Sequence, residues 1–156
     1  MPDIDKVVIK VHDRDILKEQ IELAKINNKY SIKNKKTEKE IIVNAITGKV
    51  IEEEAERLML KPDREEIDEY VNFVKEELNN RSAERNEIKD YISVSRLSED
   101  DYLKQQSENI YHIYQKELFF EYLKSQNIDS DKYVEDLISK ADIEFLDKEI
   151  EKAYSQ

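Results

Sequence analysis

The sequence predicts a mainly α protein: a multi-helix bundle forming one domain over residues 1–156, with a short two-stranded ribbon between the N- and C-terminal segments. Three observations predict it. One Gly and two Pro in the whole chain leave little material for the tight turns of a many-stranded sheet. Helix starts stand at Thr37, Asp63 and Ser98, each a capping residue followed by acidic side chains. Behind each start the apolar residues recur at helical spacing, a pattern that builds a core even though 40% of residues are charged. At this length a core forms without disulfides or metal.

Residues 6–11 are β-branched and short, which makes them the N-terminal strand. His12 and Asp13 form a turn in which Asp is the residue suited to the left-handed region, and a first amphipathic helix follows over residues 15–26, carrying Leu17, Ile21 and Ala24. Residues 27–36 are polar and unpatterned, a loop. Thr37 and Glu40 have capping-box spacing, and the helix they open runs to a stop at Pro62 with Ile41, Ile42, Ile46, Val50, Ile51, Ala55, Leu58 and Met59 on more than one face. Gly48 lies inside it, at a cost of roughly 1 kcal/mol relative to Ala. Its readings are a tolerated glycine or a close helix crossing, with a functional hinge as the alternative.

Asp63 caps the next helix, whose stripe is Ile67, Tyr70, Val71, Val74 and Leu78. Ser82 opens a short helix bearing Ile88, Tyr91 and Ile92, and Ser98 opens a long one over residues 99–125. Leu103, Ile110 and Tyr114 give that helix an ordinary stripe, but residues 118–123 are apolar nearly all round, so they are either enclosed or offered to a partner. After a break at residues 127–130, Asp129 or Ser130 caps a helix with Tyr133, Val134, Leu137, Ile138 and Ala141. Residues 142–146 alternate polar and apolar, a second short strand, and residues 148–155 are a short helix or a frayed tail.

The run Ile41, Ile42, Asn44, Ile46, Val50, Ile51, Glu54, Ala55, Leu60, Pro62, Asp63, Glu65, Glu66, Ile67, Asp68 resembles the helical N-terminal domain of the SurA and PrsA class of foldases. Val11, Asp15 and Ile16 fit that family's entry into its first helix, Ser98, Asp101 and Tyr102 fit the start of its long helix, and residues 140–146 fit its closing segment. His12 and Asp13 stand where the family has asn-gly. The resemblance implies a SurA-type chaperone bundle in an extracytoplasmic or cell-envelope setting, with unfolded polypeptides as clients. There is no room before the closing segment for the roughly 100 residues of a parvulin prolyl isomerase domain, so isomerase activity is not implied.

The net charge of −11 disfavours nucleic acid and anionic membrane surfaces, and the basic residues Lys29, Lys33, Lys35 and Lys36 read as a solvated loop. No segment approaches the roughly 18 apolar residues of a membrane span. No export signal is visible, and Met1, Pro2 and Asp3 are either a native start or what remains after one was dropped. Cysteine is absent, His12 and His112 belong to no ligand-spaced cluster, and neighbouring carboxylates such as Glu52, Glu53 and Glu54 diverge on a helix. The expectation is therefore of no catalytic residue, metal or cofactor. The expected function is non-enzymatic binding of unfolded or exported segments in an apolar cleft, with Phe73, Phe119, Phe120, Tyr122, Tyr111 and Met59 as candidate client contacts. For any one of them, a core or inter-helix contact is the more common role of a large apolar side chain. The alternative is a helical interaction protein of inhibitor or immunity type with one specific partner. Self-association as a homodimer suits such a client-binding cradle.

Overall fold

The structure, a computed structural model, describes residues 6–80, 86, 89, 90, 93, 94 and 98–156. Their elements are β1 (Val7–Val11), β2 (Arg14–Leu17), α1 (Lys18–Lys29), α2 (Glu38–Arg57), α3 (Arg64–Asn80), α4 (Glu99–Ser125), α5 (Ser130–Lys140), β3 (Ile143–Phe145) and α6 (Lys148–Tyr154). The chain is mainly helical with a small antiparallel sheet. The expected short helix carrying Ile88, Tyr91 and Ile92 falls outside the described residues.

The sheet has three strands, not the two expected, in the order β2-β1-β3. The expected pairing of the terminal segments is present, with Ile9 opposite Phe145 and Val11 opposite Ile143. The extra strand takes residues that read as the start of α1: Asp15 faces Lys10 and Ile16 faces Ile9, so α1 begins three residues later, at Lys18. Helical spacing fits Leu17, Ile21 and Ala24, yet the exposed Asp15 beside the buried Ile16 alternates as a strand does, and cross-strand pairing decides between the two. The left-handed residue of the hairpin turn is His12, at φ 54°, not Asp13. A register shift between Val7 and Ile9 marks a bulge, and Val8, Ile9 and Val11 are all fully buried.

Helix α2 is the central element. The Thr37 hydroxyl accepts from the Glu40 N–H at 3.2 Å, as the cap sequence predicts. Ile41, Ile42, Ile46 and Val50 enter the main core with β1, Ile16, Ile21, Ile150 and Ala153, while Ile51 and Ala55 enter a second core with Phe119 and Leu123. Leu137 of α5 packs against both. The C-terminal segment is a helix with Asp147 as its cap, not a frayed tail.

Helix α2 ends at Arg57, five residues before Pro62. Met59 takes φ 60°, its N–H donates to the Glu56 carbonyl at 3.0 Å, and the Leu60 N–H reaches back to the Ala55 carbonyl at 2.9 Å. Those are the two bonds of a Schellman motif, with Met where Gly is usual. The end of α4 repeats it: Asn127 has φ 55°, its N–H donates to the Lys124 carbonyl at 3.1 Å, and the Ile128 N–H reaches the Leu123 carbonyl at 3.0 Å. Asn tolerates the left-handed region, and Met does not. Asp63 then caps α3 through the Glu65 N–H, Ser98 caps α4 through the Asp101 N–H, and Asp129, not Ser130, caps α5.

A Cβ built on Gly48 meets nothing within 4 Å, so this glycine serves no close helix crossing. Gly48→Ala is expected to raise stability by about 1 kcal/mol in urea unfolding, because only helix propensity changes. Met59→Gly is expected to gain about 1 kcal/mol in the same assay, relief of left-handed strain outweighing the added freedom of the unfolded chain.

Candidate functional site

A half-open cleft of about 640 Å³ lies between α1, the loop after it, α2 and α4. Helical spacing brings its walls together. From α1 come Gln20, Ala24, Asn27 and Asn28, from α2 Ile41, Asn44, Ala45 and Lys49, and from α4 Asn109 and Ile113, one turn apart. The loop contributes Tyr30, Ser31, Asn34 and Lys36. Local bonds hold this loop in shape: the Asn28 amide donates to the Lys36 carbonyl at 3.0 Å and accepts from the Lys36 N–H at 2.8 Å. The Tyr30 hydroxyl donates to Asp90 at 2.7 Å and Lys29 pairs with the same carboxylate at 3.1 Å. The hydrogen bond from Tyr30, then that from Lys29, holds Asp90 below the usual carboxylate range.

The cleft continues along α2 into a second compartment of about 240 Å³, walled by Ala45, Gly48, Ile51 and Ile113 and edged by Glu52, His112 and Lys116. From Ile41 to Glu52 the combined groove follows α2 for about 16 Å at the helical rise. The floor is aliphatic and the sides are amides. Such side chains both donate and accept, the complement a peptide backbone requires.

None of the six residues selected from the sequence lines this groove. Phe119 is fully buried in the second core and is not available to a client; Phe120 and Tyr122 pack against that core. Tyr111 lies under the Arg64 guanidinium, 4.4 Å from ring centroid to cation. Met59, 77% exposed, is the strained cap of α2. Phe73, 58% exposed, sits beside Tyr70, whose ring also meets Tyr114 at 6.1 Å. The sequence does not mark the groove residues because large apolar side chains are the stronger binding signal, whereas much of this lining is Asn, Gln, Ala and Gly, with Ile41, Ile51 and Ile113 among them. Their signal is present in the spacing: Gln20, Ala24 and Asn27 recur at i, i+4 and i+7 and form one uncharged face of α1.

Two polar clusters along α2 have structural explanations. Arg14 of β2 binds Glu52 at 2.7 Å and also pairs with Glu56, joining the sheet edge to α2, and the Glu56 bond raises the Arg14 pKa. The His112 Nδ1 lies 3.2 Å from the Gln115 amide oxygen and 3.7 Å from Glu52. At the end of α2, Glu54 is buried, paired with Arg57, and accepts from the Tyr133 hydroxyl at 2.6 Å. Its hydrogen bonds, led by that from Arg57, hold the carboxyl below its ordinary value against the opposing effect of burial. The Tyr133 hydroxyl is pushed up, first by its bond to Glu54 and then by burial.

Among the described residues no group of three His, Asp or Glu side chains converges on a metal position, and no helix is long and apolar enough to cross a membrane. No protein-family model matches the chain, and no curated protein or solved structure matches it significantly.

Glu54 has a depressed folded pKa, so its stabilisation is present above its ordinary value of 4.5 and is lost as pH falls through the folded value. Tyr133 has a raised folded pKa, so its share is complete below 10.0 and lost as pH rises through the folded value. Tyr133→Phe is expected to cost about 2 kcal/mol near neutral pH. Urea titrations between pH 7 and pH 3 should show that difference narrowing as Glu54 protonates.

Proposed function

We propose that this chain is a non-enzymatic, chaperone-like domain that holds extended segments of unfolded or exported polypeptides in the groove between α1, α2 and α4. The groove is the observation that carries the reading. Its volume is in the range of ligand sites. A groove about 16 Å long accommodates roughly five residues of extended chain. Side-chain amides at Gln20, Asn27, Asn44 and Asn109 suit the backbone groups that every client shares, and the aliphatic floor of Ala24, Ile41, Ala45 and Ile113 suits apolar side chains without demanding one shape. Ile113 is 55% exposed, an apolar side chain left open at the middle of the groove.

The resemblance of α2 and α3 to the SurA and PrsA foldase module adds the class of client and the cell-envelope setting to this reading. Phe73 and Tyr70 provide a second exposed apolar patch on α3, outside the groove.

The test is light scattering from two chemically unfolded clients of unrelated sequence, diluted with and without this protein. Suppressed aggregation of both is expected, and Ile113→Glu is expected to remove most of it while leaving the thermal midpoint unchanged, since the side chain is already half in water. Suppression of neither client overturns the reading. A single tight complex in a pull-down would then favour an interaction protein of inhibitor or immunity type.

A further inference from the structure

The groove differs in charge from the rest of the molecule. In a chain with 37 acidic and 26 basic side chains, its walls carry three lysines, Lys36, Lys49 and Lys116, and one carboxylate, Glu52. Glu52 is already engaged by Arg14 at 2.7 Å and by Lys49 at 3.8 Å. Two further carboxylates are paired as well, Glu38 with Lys25 at 3.3 Å and Asp90, which the groove residue Tyr30 also binds, with Lys29 at 3.1 Å. Lys36 and Lys116 form no ion pair among the described residues, and they stand in different compartments of the groove. In the compartment that Lys116 edges, Gly48 contributes no side chain, and the space above its Cα, walled by Ala45, Ile51 and Ile113, is mostly apolar.

We propose that the groove selects acidic extended segments with one large apolar anchor: the anchor enters the compartment above Gly48, one flanking carboxylate meets Lys116 at the edge of that compartment, and another meets Lys36 in the larger one. This rests on the polypeptide-binding reading and names its substrate class. The overall charge of −11 does not oppose it at contact, because charges farther than about 8 Å are screened at physiological ionic strength. Gly48 is then a specificity-determining position. Its helix-propensity cost is the consequence of keeping the compartment open.

Fluorescence anisotropy with three labelled peptides in a Ser/Thr background tests this: a central Leu flanked by Glu, the same with Lys for Glu, and the same with Ala for Leu. The acidic Leu peptide is expected to bind roughly tenfold more tightly than either of the others, as two exposed ion pairs or one buried side chain supply. Gly48→Leu, with its unfolding midpoint unchanged or raised, is expected to abolish the preference for Leu over Ala. Lys36→Glu, on an exposed loop, is expected to remove most of the preference for Glu over Lys, and it decides the matter if Gly48→Leu does not fold. Equal affinity for all three peptides, or tighter binding of the basic one, overturns the inference and leaves polypeptide binding standing. Binding of none overturns both.

Discussion

The burial of α2 is the constraint on which the other elements depend. It supplies Ile41, Ile42, Ile46 and Val50 to one core and Ile51 and Ala55 to the other, so neither core closes without it. A helix apolar on several faces is stable in water only when other elements cover those faces. Here the sheet and α6 cover one, α4 and α5 another, and α1 a third. The groove lies along the part of α2 that these partners leave uncovered, where Asn44, Ala45, Gly48 and Lys49 stand between Ile41 and Ile51.

Charge is organised around the same helix. Arg14 ties Glu52 and Glu56 to the sheet edge, and Arg57 with Tyr133 keeps Glu54 ionised at the margin of the second core. A buried carboxylate is tolerable when its oxygens are hydrogen-bonded to a cation, and removing one partner is what makes it costly. Glu52, the one carboxylate in the groove lining, is among those engaged, by Arg14 and by Lys49.

Most helix boundaries were legible because they are local events. Thr37, Ser98 and Asp129 each place a side-chain oxygen on a free N–H within three residues, and no distant contact is needed to decide that. The end of α2 was not legible. Pro62 marks where a helix must stop, but the Schellman bonds at Met59 stop it sooner, and Met is not a residue that announces a left-handed turn. Strand β2 was hidden for a related reason: Leu17, Ile21 and Ala24 satisfy a helical pattern, and only Asp15 beside Ile16 alternates as a strand does.

By itself the sequence determined that the chain is mainly helical, that helices begin after Thr37, Asp63 and Ser98, and that strands lie within residues 6–11 and 142–146, because caps, period and β-branching act over a few residues. Only the tertiary structure decided which apolar residues are core and which line a groove. Phe119 and Phe73 look alike in sequence, yet one is fully buried and the other is largely in water. The groove exists because three helices and a loop distant in sequence approach without filling the space between them, and that is a property of how faces pack rather than of any one face.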